Sequence, residues 1–153
     1  MYRSISVKDS DFADKLVNEF RSDGVVVIND VFADGECDVL MDSIVDDFVK
    51  LGTGIDKNNV EGTWVEGNLP AQTRAGLFQC LVSNFDAVWK VRANENIRMI
   101  FEVLYSSLRG KTIGEFVVSG DGLNIKPGVV GPYGGGKAKD WPHVDQTVRG
   151  DIF

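Results

Sequence analysis

His143 and Asp145 form an H-x-D pair, and just ahead of them Gly131, Gly136 and Lys137 have the G-x-x-x-x-G-K spacing of a phosphate loop. Both signatures lie within "GPYGGGKAKDWPHVDQT", and they call for different chemistry. A working phosphate loop needs a Ser or Thr after the lysine to hold Mg²⁺. It also needs a strand leading in and a helix leading out, whose first amides face the phosphate. Here Ala138 follows Lys137, and Pro142 interrupts any outgoing helix because it lacks an N–H and disfavours helical geometry at Trp141. No Walker B strand follows. The glycines are therefore expected to form a loop joining two strands.

The H-x-D pair fits a metal better. On a strand, residues two apart project from the same face, about 6–7 Å apart at the backbone, so an imidazole and a carboxylate can converge on one ion. With one further histidine they make a 2-His-1-carboxylate facial triad, which leaves coordination positions open for a cosubstrate and O₂. The pair alone is weak evidence. With 23 acidic residues among 153, a histidine meets an acid two places on about one time in seven by chance. A histidine that only hydrogen-bonds at a strand edge is the plainer alternative.

The elements that must position this pair can be read from hydrophobic period. Phe12, Leu16 and Phe20 predict a helix from Ser10 to Asp23, ended by Gly24. "VVVI", Val25 to Ile28, predicts a short buried strand. A second helix is predicted with Asp34 as its cap. Its apolar stripe is Cys37, Leu40, Met41, Ile44, Val45, Phe48 and Leu51, and Asp38, Asp42, Asp46 and Asp47 lie mostly on a solvated face. These aspartates lack the D-x-D-x-D-G spacing of a calcium loop. Residues 51–73, around Trp64, read as a long irregular loop.

Helices are expected from about Asn84 to Ala93 and from Glu95 to Leu108. The second is capped by Asn94, stopped by Gly110 and lined by Ile97, Ile100, Phe101, Leu104 and Leu108. Beyond Gly110 the period changes to two. "GEFVVS" and "LNIKPG" read as strands joined at "GDG", and "HVDQTV" as a third strand. Leu123 and Ile125 should then share one face, with Asn124 and Lys126 on the other. Helices first and strands last, with no repeat and no linker, predict one α+β domain rather than alternating βαβ.

Composition limits the function. The chain is 43% apolar with 10% aromatic residues, enough for a globular core, and its net charge of −7 argues against nucleic acid and anionic membranes as partners. Cys37 and Cys80 show no C-x-x-C spacing, and buried reduced thiols are expected. "MYRSISVKDSDF" is too polar for a secretory signal and no apolar run spans a bilayer, so a cytoplasmic location is expected. The alternating "TVRGDIF" at the end suggests part of a longer fold.

Taken together, "DGVVVINDVFADGECDVLMDSI", "LNIKPG" and "WPHVDQT" resemble the phytanoyl-CoA dioxygenase-like family of Fe(II)/2-oxoglutarate-dependent oxygenases. "LN-x-KPG" and "W-x-H-x-D" look especially like its ectoine hydroxylase branch. The resemblance covers most of the chain in order of elements and these segments in detail. It implies N-terminal helices, about 1–110, packed on the first half of a double-stranded β-helix (jelly-roll, cupin-like) beginning at about 111–153. It further implies a dioxygenase that uses Fe(II), 2-oxoglutarate and O₂ to hydroxylate a small-molecule or lipid-like substrate, which no stretch of the sequence specifies.

By the same resemblance His143 and Asp145 are iron ligands and Asn124 contacts 2-oxoglutarate. Gln146 and Thr147 contact cosubstrate or substrate. Lys126 either attracts the cosubstrate or is a solvent-exposed strand lysine, and Trp141 packs at the pocket mouth or in the core. The family also needs a distal histidine followed by an arginine, whereas this chain has one histidine in all. The glycine-rich loop from Gly128 to Asp140 and Pro142 also depart from the family pattern. The expectation is therefore the N-terminal part of such an oxygenase, inactive alone and completed by a longer parent polypeptide or a second chain, or else left incomplete by an interrupted gene. The rival is a non-catalytic binding or assembly module that keeps half of the jelly-roll.

Overall fold

The computed structural model describes residues 3–72, 76–79, 81–110, 118, 120 and 122–125. Helices and small sheets are mixed in it, and no closed barrel occurs among the described residues. No helix among the described residues is long and apolar enough to cross a membrane.

Strand β1 (Ser4–Ser6) pairs in parallel with β2 (Val27–Asn29), Ile5 lying opposite Ile28. Helix α1 (Phe12–Asp23) connects them and ends at Gly24. That glycine takes a left-handed conformation (φ 70°) so that its N–H reaches Phe20 O at 2.9 Å. The N-terminus is thus a β-α-β unit, and strands lie at both ends of the described chain. This corrects the expected order of helices first and strands last. β1 has one apolar residue in three, and its partner is far along the chain, so no local period marks it.

β2 is also not the buried strand that "VVVI" predicts. A two-stranded sheet covered on one face sorts its side chains alternately. Val26 and Ile28 pack inward, while Val25 faces solvent and Val27 is 45% exposed.

Helix α2 (Glu36–Lys50) buries Leu40, Ile44, Asp47 and Phe48. The predicted cap Asp34 is displaced by Gly35, whose φ of 75° reverses the chain, while the Glu36 carboxylate reaches back to accept from Ala33 N at 2.8 Å. Cys37, Met41 and Leu51 are exposed, so Cys37 is not the buried thiol expected. The arc α2 presents to its partners is narrower than its apolar stripe, and residues on the flank are left in water.

The predicted loop after α2 is folded into short turns and helix α3 (Val60–Thr63). Asp56 and Asn59 cap these pieces by accepting from Asn58 N at 2.9 Å and Gly62 N at 3.2 Å. They bring Trp64 into the core. Strand β3 (Leu77–Phe78) follows, then α4 (Asp86–Arg92) and α5 (Glu95–Arg109), and β4 (Leu123–Asn124) returns antiparallel to β3. α5 begins as predicted, with Asn94 accepting from Ile97 N at 3.0 Å, and ends at Gly110 (φ 63°). It buries only Ile100 fully. Phe101 and Leu108, expected to line its packed face, are 47% and 51% exposed, because the face turned to the core runs through Met99, Ile100, Val103 and Leu104.

Two cores result. Ile5, Phe12, Leu16 and Ile100 form one, between β1–β2, α1 and α5. The other gathers on Phe48, whose ring meets Trp64, Phe78 and Phe85 edge-on at 5.4, 5.4 and 5.2 Å. Edge-on pairs set the positive ring edge against a negative face and add to the area buried. Truncating this hub removes three such contacts and leaves a cavity. Phe48→Ala should cost about 3–5 kcal/mol in urea unfolding, whereas the exposed Phe101→Ala should change stability by about 0.5 kcal/mol or less. Equal losses would contradict the packing described.

Candidate functional site

Of the residues singled out for chemistry, Asn124 is described. His143, Asp145, Lys126, Gln146, Thr147 and Trp141 lie outside the described residues, as do the phosphate-loop-like glycines, most of "GEFVVS", the strand "HVDQTV" and Cys80.

Asn124 sits where the alternation predicts. Its side chain is exposed, while Leu123 and Ile125 pack against the Phe48 core. β3 fixes that orientation: Asn124 lies opposite Leu77, and Ile125 N donates to Gly76 O at 2.8 Å. Gly76 is held in turn by its N–H, which donates to Gln72 Oε1 at 2.6 Å. Gly122 allows the two strands to close, because a Cβ there would stand 2.2 Å from the Phe78 carbonyl oxygen. Asn124 therefore presents a carboxamide, one acceptor and two donors, away from the core.

Among the described residues, no group of three or more His, Cys, Asp or Glu side chains is placed to hold a metal ion. One acid of α2 is committed to the fold. Asp47, expected on a solvated face, is 7% exposed. Its Oδ1 accepts from Lys50 Nζ at 2.8 Å and its Oδ2 from Asp86 N at 3.2 Å. Phe85 occupies the cap position of α4 and has no side-chain oxygen, so Asp47 caps that helix from α2 instead.

An open cleft of about 320 Å³ borders this pair, lined in part by Lys50, Leu51, Leu81 and Phe85. The hydrogen bond to Asp47 raises the Lys50 pKa. Both Asp47 oxygens are engaged, so the acid acts as a cap and not as a free base. Two signs of this were in the sequence: Asp47 falls seven residues after Leu40, inside the apolar stripe, and α4 starts after an apolar residue.

A second polar knot closes the β1–β2 end. Asp30, at φ 60°, accepts from Ser6 Oγ and from Lys8 Nζ, the latter at 3.3 Å. These bonds, the Ser6 hydroxyl first, lower the Asp30 pKa from its ordinary value.

No family model, curated protein or solved structure matches the chain.

Two predictions follow from the acids. Asp47→Ala should cost about 0.5–2 kcal/mol, because Asp86 N loses its capping acceptor at a half-buried helix end. Asp47→Asn, which keeps an oxygen, should cost less, and chemical denaturation measures both. The Asp30 contribution is complete above its unfolded pKa and disappears as pH falls through the lower folded value. Stability should therefore drop below about pH 4, and Asp30→Asn should flatten that part of the curve.

Proposed function

We propose that this chain is the N-terminal part of an Fe(II)/2-oxoglutarate-dependent oxygenase of the phytanoyl-CoA dioxygenase type, built on the first half of a jelly-roll. The observation that carries this reading is the ordered run "LNIKPG" then "WPHVDQT", together with Asn124 turned outward between two core-facing neighbours. In this reading His143 and Asp145 hold the ion. Asn124 donates to a 2-oxoglutarate carboxylate, Lys126 adds charge attraction, and Gln146 and Thr147 contact cosubstrate or substrate. Ferrous ion with 2-oxoglutarate supplies activation of O₂ and hydroxylation of a C–H bond. The chain's own task is to orient a small-molecule or lipid-like substrate and to keep water from the reacting atoms.

The chain has one histidine, so the second histidine of a facial triad comes from outside these 153 residues. Two protein ligands hold iron weakly, and turnover needs the remainder of the site. Fe(II) at tenfold excess over its Kd should raise the Tm by roughly 3–5 °C, and His143→Ala should abolish the rise. Mixtures of the chain with 2-oxoglutarate, ascorbate and iron should form no succinate above background. Self-association on size exclusion that ignores iron, with no shift in Tm, would instead favour a non-catalytic assembly module.

A further inference from the structure

Among the described residues, the two hydrophobic cores share no side chain. One is built from residues 3–31 and 94–110, and the other from 32–93 together with β4, so the second unit is inserted into the first. The main packings respect this division: α1 lies on α5 and β1 on β2 in the outer unit, and α2 on α4 and β3 on β4 in the inserted one. Long-range polar contacts between described residues also lie within each unit. Arg21 donates to Ser107 O at 2.9 Å in the outer unit, while Asp47 meets Asp86 N and Lys57 meets Asp46 in the inserted one.

The boundary can be placed to the residue. Val31 packs on the outer core and its neighbour Phe32 on the inserted core. At the second crossing Val91 packs on the inserted core, and Asn94 begins α5 of the outer unit. The first crossing carries two left-handed backbone positions, Asp30 and Gly35. Asn96 Nδ2 donates to Val31 O at 2.7 Å, tying β2's exit to the start of α5 and so holding the two crossings side by side. The chain crosses once more between Gly110 and β4.

Cooperativity in a protein follows contiguous buried contact, because losing one core residue raises the energy only of the groups that pack with it. We propose that the two cores are separate cooperative units on a hinge at 30–35 and 93–94, so that the outer unit opens while the inserted unit stays folded. Such opening exposes Val31 and Phe32 at the boundary and leaves β4, with Asn124, in place. Motion of the outer unit is thereby separable from whatever binds at β4, and this inference does not depend on the iron reading.

Native-state hydrogen exchange on the full chain, in low urea and followed by mass spectrometry, tests it. Leu16→Ala should speed exchange in α1, β2 and α5 by about tenfold or more, with α2 and α4 changed less than about twofold. Val82→Ala should do the reverse. Should Leu16→Ala fail to fold, Ile100→Val and Ile44→Val give the same paired comparison with smaller, few-fold changes. Acceleration of both sets by either variant, or of neither set, contradicts two units and a hinge.

Discussion

The buried ring of Phe48 holds together the larger of the two cores among the described residues. It lies on α2, yet its three edge-on partners come from the turn after α3, from β3 and from the start of α4. Those segments have little regular structure of their own. β3 is two residues long, α3 four and α4 seven, lengths at which neither helix nor strand is stable in isolation. Their order comes from packing against the ring, and β4 takes its register from β3. The outward face of Asn124 is therefore a downstream consequence of an aromatic cluster several elements away.

Polar groups finish what the apolar contacts begin. α4 starts without a side-chain cap of its own, and an acid from the neighbouring helix supplies one. Asp30 adopts a left-handed conformation, which short polar side chains tolerate better than most, and Ser6 and Lys8 bind its carboxylate. In both cases an aspartate that composition alone would count toward net charge is committed to the fold. The acidity of the chain is thus partly structural.

What the sequence reveals depends on how local the cause is. α5 is legible from end to end because Asn94 and Gly110 act within one turn of themselves. α2 is legible as a helix, and Leu40, Ile44 and Phe48 fall on its buried face. Cys37, Met41 and Leu51 do not, since a 3.6-residue period says which way a face points and not how wide its partner is. β1 and β3 escape notice because three and two residues carry no period, and their pairing partners lie far along the chain. Asp47 is misread because charge suggests water, whereas an uncapped helix nearby needs its oxygen. At the candidate site, alternation alone places Asn124 outward and Leu123 and Ile125 inward. The metal pair rests on spacing and resemblance, because His143 and Asp145 lie outside the described residues.

A protein with one histidine offers an unusually clean observable, since every imidazole proton signal belongs to His143. Nuclear magnetic resonance during titration with substoichiometric Fe(II) follows those ring protons beside the backbone amides of the acidic face of α2. Selective broadening of the His143 ring, with the amides around Asp38 and Asp42 unchanged, is the predicted outcome. Broadening centred on those aspartates, with the imidazole signals untouched, would contradict an iron-holding H-x-D pair.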